Sequence, residues 1–400
     1  MNTPESIHFA AEVLFWTMAL PVLAGCLYLL LLTLLSAAPQ SPMMSDVGRA
    51  LRFDVIVPAH NEDTGITRCV RSLLGLDWPR EAFRVLVIAD NCVDDTAAQA
   101  RNAGAVVLER ADPARRGKGH ALHWAFQHSI AQGWADAVVV VDADSEVDPS
   151  LLQAFAARLQ QGATAIQAHY TVLNAEESWR TRLMTVAFAA FHGVRSRGRE
   201  RLGLSCGIRG NGWCVASALL HRMPYEAYSL AEDVEYGIRL GLAGQRVRYA
   251  DEACVRGEMT SRAENAASQR RRWEQGRSQL RSLRRPLLLH SLRRRDPVCF
   301  DLLLDLMLPP LSQLGLGLLV LACMATLLNA TVTSLPGAAA VLCIAAASLI
   351  LYVLRGWQLS GLGAQALLDF LHVPHFVIWK LLTIAGRSSG EWLRTGRERP

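Results

Sequence analysis

The chain has 400 residues, enough for one large domain and a smaller part. Hydrophobic residues make up 51% of it and charged residues only 19%, which argues against an ordinary cytosolic enzyme. The formal net charge is +5, and the nine cysteines are scattered without a Cys-x-x-Cys pair, so neither a disulfide framework nor a zinc site is indicated.

The first feature along the chain is an apolar run over residues 9–36, which is long enough to span a bilayer. A cleaved signal peptide is the alternative, but it would begin with basic residues, and residues 1–36 contain no Lys or Arg. We therefore expect residues 1–40 to form a transmembrane anchor. Arg49 and Arg52 follow the run, so the positive-inside rule places the next domain in the cytosol.

Residues 52–260 alternate between strands and helices. Strands are predicted over residues 53–58, 84–89, 105–108 and 138–141, with helices between them over residues 64–74, 95–103 and 120–131. This alternation predicts an α/β fold with a mostly parallel sheet and right-handed crossovers. Polar clusters follow three strands: His60-Asn61-Glu62, Asp90-Asn91 and Asp142-Ala143-Asp144. We expect them to meet in one crevice, where a nucleotide could bind.

The third cluster follows four consecutive valines, residues 138–141, which predict a strand buried on both faces. Asp142 and Asp144 are two positions apart, so they point the same way in extended backbone. Adjacent carboxylates repel unless a cation lies between them, and oxygen ligands favour Mg²⁺ or Mn²⁺, which also bind substrate phosphates. The alternative is an acidic turn that caps a helix starting near Pro149.

Two common nucleotide-binding patterns do not occur in this region. Neither of the first two strand–helix turns contains G-x-G-x-x-G, so dinucleotide binding is not indicated. The loop Arg115-Arg116-Gly117-Lys118-Gly119 lacks P-loop spacing, but it is basic, contains glycine and opens a helix. Such a loop can approach an anionic ligand closely, and the alternative is a solvated basic turn.

These segments resemble the family 2 glycosyltransferases, which have the GT-A fold. The resemblance rests on Phe53-Asp-Val-Ile-Val-Pro-Ala-His-Asn-Glu62, Ile88-Ala-Asp-Asn-Cys-Val-Asp-Asp-Thr96, the Arg-Gly-Lys-Gly loop, Asp142-Ala-Asp144, Gly210-Asn-Gly212, Ala231-Glu-Asp-Val234 and Gln269-Arg-Arg-Arg-Trp273. The last is the Gln-x-x-Arg-Trp motif of membrane-embedded members, such as cellulose, hyaluronan and poly-N-acetylglucosamine synthases and ceramide glucosyltransferases. The resemblance covers roughly residues 52–290.

The resemblance implies a nucleotide-sugar donor, usually a UDP-sugar. Glu62 and Asp90 would hold its base and ribose, and Pro58 would also contact it. The chain departs from the family pattern at Asn91, because the second cluster is usually Asp-Asp.

The same resemblance implies a divalent metal, Mg²⁺ or Mn²⁺, on the donor's diphosphate. Asp142 would contact both the ribose and the metal, and Asp144 would ligate the metal. Lys118 would approach the nucleotide or its phosphates.

On the acceptor side, the resemblance implies that Asp233 is the general base. Glycosyl transfer does need a base within reach of the acceptor hydroxyl. The alternative is that carboxylates in the first turn of a helix over residues 231–244 are ordinary partners of the helix dipole. The diphosphate and acceptor channel would be lined by Asn211, Gly212, Glu232, Gln269, Arg272 and Trp273. Trp273 could present a flat face to a sugar ring or simply pack in the core.

Two arginine-rich segments lie in the second half of the chain. Residues 178–201 either lie near the membrane surface or pack under the catalytic domain. Residues 262–295, within a predicted interface region at residues 261–300, are denser in arginine and contain almost no acid. Such a basic segment beside membrane spans favours anionic membrane lipids as partners rather than nucleic acid.

Two further spans are predicted over residues 306–328 and 337–354. Pro309-Pro310 should kink the first span near its entry. The residues between the spans are uncharged and Arg355 follows the second, so both outer ends should face the cytosol.

These elements divide the last part of the chain into two regions. Residues 301–356 would form the two membrane helices. Residues 357–400 would contain an apolar but interrupted segment, residues 367–384, that is interfacial or re-entrant, followed by a cytosolic tail.

The sequence thus predicts a multi-pass protein of the cell membrane, an inverting family 2 glycosyltransferase whose catalytic domain is cytosolic. Its product would be a polysaccharide or a glycolipid of ceramide or hopanoid type. Three membrane spans in one protomer form only a thin wall around a polymer channel. Export of a polysaccharide through the membrane would therefore need a partner subunit or a homo-oligomer. An inactive membrane scaffold or a sugar-nucleotide sensor fits less well, because Asp142, Asp144, Asp233 and Arg272 are all present. A nucleotidyltransferase would not need Gln-x-x-Arg-Trp.

Overall fold

The computed structural model describes residues 3–38, 51–260, 269, 272 and 274–373. The predicted features that lie outside these residues are Trp273, the first part of the basic segment and the tail beyond residue 373. Most of the predicted interfacial segment at residues 367–384 is therefore outside them as well.

Eight strands form one sheet between residues 53 and 257. They are β1 (Phe53–Ala59), β2 (Phe83–Asp90), β3 (Val106–Arg110), β4 (Ala137–Val140), β5 (Ser145–Val147), β6 (Ala165–Val172), β7 (Trp213–Ala216) and β8 (Val247–Gly257). Their order in the sheet is β3-β2-β1-β4-β7-β6-β8-β5.

Helices precede, cover and follow this sheet. They are α1 (Thr3–Leu34), α2 (Ile66–Leu74), α3 (Thr96–Asn102), α4 (Lys118–Gln132), α5 (Leu151–Gln160), α6 (Trp179–Phe188), α7 (Arg195–Arg201), α8 (Ser217–Arg222), α9 (Glu232–Leu242), α10 (Arg284–Arg294), α11 (Pro297–Met307), α12 (Leu311–Thr331), α13 (Ala338–Ser360) and α14 (Gln365–Leu368). A π-helical segment, Ala189–Val194, joins α6 to α7.

The first half of the sheet is parallel, as the sequence predicts. β1 pairs in parallel with β2 and with β4, and β2 pairs in parallel with β3. The second half is mixed, which differs from the mostly parallel prediction. β7 returns from α7 and inserts between β4 and β6, antiparallel to both. The α/β fold class is confirmed, and the regular alternation ends after α5.

The valine run of β4 packs on both faces of the sheet. Val139 and Val141 join the core beneath α2 and α5, whereas Val138 and Val140 join the core beneath α4 and α8. All four are fully buried, because the side chains of a strand alternate between two covered faces. The parallel register of β1, β2 and β4 then brings the polar clusters that follow these strands to one edge.

Within the described residues, three helices are long and apolar enough to cross a membrane: residues Ser6–Leu34 of α1, α12 and α13. The predicted kink at Pro309-Pro310 is instead a break, because α11 ends at Met307 and α12 begins at Leu311. Proline lacks an amide donor and clashes with the preceding turn, so two in succession separate the helices.

The arginine-rich segment at residues 178–201 packs between the sheet and the helices α1 and α13. Gly198 lies so close to α1 that a Cβ there would be 2.7 Å from the carbonyl oxygen of Leu32. Arg199 is fully buried, with Nε 2.8 Å from Asp301 Oδ2 and Nη2 2.7 Å from Asp305 Oδ1. Arginines of this segment therefore pair with aspartates about a hundred positions later in the chain.

Asp305 of α11 is the centre of this buried ion cluster. It also lies 3.2 Å from Arg195 Nη1 and 3.1 Å from Arg209 Nη1. Burial favours its protonated form, but Arg199, Arg209 and Arg195 outweigh that effect and hold the pKa of Asp305 well below its ordinary value. The cluster joins the sheet domain to the helices that lead into the membrane region.

We expect Asp305→Asn to lower the free energy of unfolding by about 3–5 kcal/mol, because it leaves buried arginines without their counter-ion. Thermal unfolding of the purified protein in detergent measures this. The matched control is Glu109→Gln, which breaks the exposed pair with Arg101 and should cost about 0–1 kcal/mol. Equal melting temperatures for the two variants would contradict a structural role for the cluster.

Candidate active site

A cavity of about 2310 Å³ opens at the shared edge of β1, β2 and β4 and continues to the candidate membrane helices α12 and α13. Ten of the residues predicted from the sequence line it: Pro58, Glu62, Asp90, Lys118, Asp142, Asp144, Glu232, Asp233, Gln269 and Arg272. The fold thus gathers residues that are spread over more than 200 positions of the chain into one space.

Two glycines fix the start of the helix that carries Lys118. Gly117 has a φ of +116°, a conformation that favours glycine. At Gly119, a Cβ would lie 2.3 Å from the carbonyl oxygen of Ala227, so the backbones approach more closely than any side chain allows. Lys118, the first residue of α4, is thereby directed into the cavity.

The ammonium group of Lys118 connects two acidic walls of the cavity. It donates hydrogen bonds to Asp142 Oδ1 at 2.5 Å and to the carbonyl oxygen of Gly210 at 2.8 Å. Glu232 Oε1 lies 3.9 Å away. Burial disfavours the charged amine, but Asp142 and Glu232 outweigh it and raise the pKa of Lys118. Lys118 is therefore a permanent positive charge beside the predicted metal ligand.

A chain of hydrogen bonds positions the acidic pair after β4. The Asp142 amide donates to Asn211 Oδ1 at 3.0 Å, and Asn211 Nδ2 donates to Ser145 Oγ at 2.7 Å. Ser145 Oγ in turn donates to Asp144 Oδ1 at 3.1 Å. Ser145 was not identified from the sequence, although its place directly after Asp-Ala-Asp is a signal for such a role.

Asn211 and Gly212 occupy a different place from the one the resemblance implies. Asn211 is fully buried, and neither residue lines the cavity within the described part of the chain. At Gly212, φ is +69° and a Cβ would lie 2.6 Å from Val255 Cγ2, so only glycine fits there. This corrects their assignment to the acceptor channel, because Asn211 supports Asp142 from behind the cavity wall and the Gly212 amide donates to the carbonyl oxygen of Val140 in β4.

The chemistry of the acidic pair fits a divalent cation. Burial raises the pKa of Asp142, with Lys118 acting in the opposite direction and Asp144 adding to the rise. A cation between the two carboxylates would remove this cost. Asp142 and Asp144 would supply only two protein oxygens, which suits Mg²⁺ or Mn²⁺ that completes its shell with phosphates and water.

Asp90 lines the cavity but already has a strong partner. Its Oδ1 accepts from Arg110 Nη1 at 2.5 Å and from Asn91 Nδ2 at 3.0 Å. Asn91 has a φ of +51°, which asparagine tolerates better than most residues, and its Oδ1 accepts from the Asp112 amide. Asn91 therefore shapes the turn where the family pattern has a second Asp. Arg110, at the end of β3, was not identified from the sequence.

Glu232 and Asp233 enter the cavity at the start of α9. A Cβ at Gly210 would lie 3.3 Å from Asp233 Oδ2, so this carboxylate faces the loop that also binds Lys118. Burial raises the pKa of Glu232 to about 7, against the effect of Lys118. Burial also raises the pKa of Asp233, against the effects of Lys118 and Arg209. Two proton-accepting groups with raised pKa therefore stand beside a fixed positive charge.

The last predicted motif is described only in part. Gln269 and Arg272 line the cavity, and the charge of Arg272 acts on Asp142 to lower its pKa. Trp273 lies outside the described residues.

The far half of the cavity is apolar and was not anticipated from the sequence. It is bounded by α6, the π-helical segment, α12, α13 and α14, with Leu183, Met184, Leu316, Leu319, Ile350 and Leu367 among its lining residues. Arg182 of α6 holds the end of this wall, with Nε 2.5 Å from Asp369 Oδ2. Asp369 is only 3% exposed, so the pair anchors the wall firmly. The cavity therefore joins a charged end to an apolar end between candidate membrane helices.

An acidic pair after the central strand, a basic helix start and carboxylates on a facing helix lie at one edge of a sheet with the GT-A fold. A mannosyltransferase from Pyrobaculum calidifontis, solved with GDP-Man and Mn²⁺, has the same fold: the match covers 88% of this chain and 97% of that one, with a TM-score of 0.52 and 19% identity. Residues 51–276 match the family model "Glycosyltransferase like family 2", and the chain belongs to that family.

The names of two curated relatives describe different products, a glycolipid and a polysaccharide. A beta-monoglucosyldiacylglycerol synthase from Synechocystis sp. is 28% identical over 266 residues, which are 64% of this chain and 54% of that protein. A cellulose synthase catalytic subunit from Komagataeibacter sucrofermentans is 22% identical over 277 residues, 65% of this chain and 35% of that protein. The chain spans about half or less of the length of these relatives.

Proposed function

We propose that this protein transfers one sugar from a nucleotide-sugar, a UDP-sugar, to the hydroxyl group of a membrane lipid, with inversion at the anomeric carbon. The observation that supports this most is the single cavity that runs from the Lys118–Asp142 end to the apolar walls of α12 and α13. A donor that is soluble in water and an acceptor that is soluble in lipid can meet in such a space.

The charged end provides what the donor requires. Pro58, Glu62 and Asp90 border the place for the nucleoside. Asp142 and Asp144 would hold Mg²⁺ or Mn²⁺, which would neutralise charge on the diphosphate. Lys118 and Arg272 supply fixed positive charge for the departing diphosphate, and a preorganised charge of this kind stabilises the transition state strongly.

The acceptor is activated from the opposite wall. Asp233 accepts the proton of the acceptor hydroxyl as its oxygen attacks the anomeric carbon in line with the departing diphosphate. A single displacement inverts the configuration at that carbon. Glu232 lies beside Lys118 and tunes the charge around the base.

The apolar end favours a lipid over a polymer. Three candidate membrane helices make a thin wall for a polymer channel, and polysaccharide export would need a partner subunit or a homo-oligomer. Polysaccharide synthesis stays the second candidate, because the cellulose synthase subunit matches a similar share of the chain. The acyl chains of a lipid, in contrast, need only the apolar walls that one protomer already provides.

We place the protein in the cell membrane with residues 1–40, 301–356 and part of 357–400 in or at the bilayer. The catalytic residues 52–260 face the cytosol, and residues 261–300 lie at the interface. Exposed Arg285, Arg293 and Arg294 share α10 with exposed Leu288 and Leu292. This combination suits contact with anionic lipid headgroups.

Narrowing the apolar half of the cavity tests the lipid assignment. Leu319→Trp should lower transfer to a short-chain diacylglycerol about tenfold or more, because the larger ring fills space that the acyl chains need. Transfer to water, measured as UDP release without acceptor, should change little.

The matched control is Leu327→Trp on the same helix. Leu319 is 61% exposed and lines the cavity, whereas Leu327 is 62% exposed and does not line it. Equal effects of the two substitutions on lipid glycosylation would contradict an acceptor site in the apolar half.

A further inference from the structure

The π-helical segment Ala189–Val194 places one unusual side chain in the cavity. His192 is 7% exposed and lines the cavity. Its Nδ1 is buried and has no hydrogen-bond partner among the described residues. A buried polar atom without a partner is costly, and π-helical turns occur often at functional sites.

The surroundings of His192 resemble a binding surface more than an ordinary core. Its ring contacts the rings of Tyr170, Phe188 and Phe191 at centroid distances of 5.1, 4.9 and 5.0 Å. All of these side chains also line the cavity. An imidazole surrounded by aromatic rings offers one polar group on a mostly apolar surface. Small-molecule binding sites use such single polar groups to fix the orientation of a ligand.

His192 stands where the charged and the apolar halves of the cavity meet. On one side, the positive charge of Arg209 acts on it, and Arg209 directly precedes Gly210, the neighbour of Asp233. On the other side, the π-helical segment packs on α13, where a Cβ at Gly356 would lie 2.7 Å from Ala190 Cβ. A group bound at His192 thus shares the cavity with the proposed base and lies on a segment that packs against α13.

The imidazole is neutral in this position. Burial lowers the pKa of His192 well below its ordinary value, and Arg209 lowers it further. A neutral imidazole can donate or accept one hydrogen bond, so it suits an uncharged hydroxyl or ester carbonyl better than a phosphate.

We propose that His192 is an acceptor-binding residue whose imidazole, on the wall of the cavity, hydrogen-bonds an uncharged polar group of the lipid headgroup next to the hydroxyl that receives the sugar. This proposal rests on the proposed function and adds the residue that selects the acceptor. His192 itself takes no proton from the reacting hydroxyl, which is the role of Asp233.

The test compares His192→Phe with His192→Asn, using 1,2-dioctanoylglycerol as the acceptor probe in detergent micelles. Phe keeps a ring but loses the hydrogen bond, so the KM for the probe should rise about tenfold. Asn keeps a neutral hydrogen-bonding group at this position and should restore part of the affinity. The KM for the UDP-sugar and UDP release without acceptor should be unchanged in both.

A binding readout separates this role from a structural one. The melting temperature of the free His192→Phe variant should be equal to or above that of the unsubstituted protein, because an unpaired buried polar group has been replaced. The stabilisation that dioctanoylglycerol gives the unsubstituted protein should be lost.

His169→Phe is the matched control. His169 is half-buried, but its Nδ1 lies 2.7 Å from the hydroxyl of Tyr249, and it does not line the cavity. That variant should melt earlier and keep the KM for the probe. Suppose that the unsubstituted protein glycosylates the probe, and that His192→Phe has the same KM and the same thermal shift. The role of His192 is then overturned, and the proposed function stands. If the unsubstituted protein neither binds nor glycosylates any lipid, the proposed function fails and this role fails with it.

Discussion

Replacing Asp233 with Asn should lower the transfer rate by ~10²–10⁴-fold, the usual contribution of a placed general base. Asparagine has nearly the same shape but cannot accept the proton of the acceptor hydroxyl. Binding of the donor should change little, because the residues proposed to hold its diphosphate end, Asp142, Asp144 and Lys118, keep their charges. Single-turnover rates and calorimetric titration with UDP measure the two quantities separately.

The matched control is Glu235→Gln. Glu235 also lies in the first turn of α9, but its carboxylate accepts from the amides of Tyr228 and Ser229 and does not line the cavity. If acidic residues here only complement the helix dipole, both substitutions should destabilise α9 alike and neither should act on turnover. If Asp233→Asn loses UDP binding as completely as turnover, Asp233 belongs to the donor site and the base is elsewhere.

The pH dependence of turnover follows from the same two carboxyl groups. Protonation of Glu232 removes a negative charge beside Asp233 and makes Asp233 a weaker base, so the rate should begin to fall as the pH decreases below about 7, where Glu232 takes up a proton. The pKa of Asp233 is also raised, so its own protonation follows at a pH above that of an exposed aspartate. In Glu232→Gln the acidic limb should move to lower pH with a milder loss of turnover. Superimposable pH profiles would show that Glu232 does not tune the base.

Asp144→Asn should lower metal-dependent transfer by at least ~10³-fold while leaving the fold intact, because charge stabilisation by a bound metal contributes several kcal/mol. The amide oxygen of Asn can still accept the hydrogen bond from Ser145, so the loop after β4 keeps its shape. The lost negative charge should weaken Mn²⁺ binding, which electron paramagnetic resonance measures without any turnover.

Glu146→Gln is the control for this substitution. Glu146 is only two positions further on, but it pairs with Arg68 at 3.4 Å and does not line the cavity. It should bind Mn²⁺ and transfer sugar normally. Full activity of Asp144→Asn in an excess of chelator would contradict the metal site.

The parallel half of the fold could be predicted because its signals are local. The four valines at residues 138–141 show a strand buried on both faces, and the acidic pair marks its end. The mixed half could not, because its pairing is set by contacts remote in the chain, such as Val140 opposite Trp213. Hydrophobic periodicity identifies a strand but not its neighbour in the sheet.

The arginine-rich segment at residues 178–201 shows that charge, like hydrophobic periodicity, does not identify the partner of a segment. Its composition fitted both a membrane surface and a buried position, and the outcome depended on Asp301 and Asp305, which lie in another helix. Counting charges within a segment cannot show where their partners are.

The residues of the candidate site that belong to sequence motifs could be predicted. The parts of the site that form only through tertiary packing could not. The positions of Lys118, Asp142 and Asp233 followed from motifs, and the cavity includes them all. The buried, supporting place of Asn211 depends on its hydrogen bonds to both Asp142 and Ser145. The apolar half of the cavity forms only when α6, α12 and α13 come together, so no single stretch of sequence contains it.

The most direct test of the central claim is product analysis by mass. The purified protein in lipid nanodiscs that contain diacylglycerol is incubated with Mn²⁺ and, in separate reactions, with UDP-glucose, UDP-galactose, UDP-N-acetylglucosamine and GDP-mannose. We expect one UDP-sugar to give a lipid heavier by one sugar residue, with one UDP released for each lipid converted. A sugar polymer, or free sugar without any glycosylated lipid, would contradict the account.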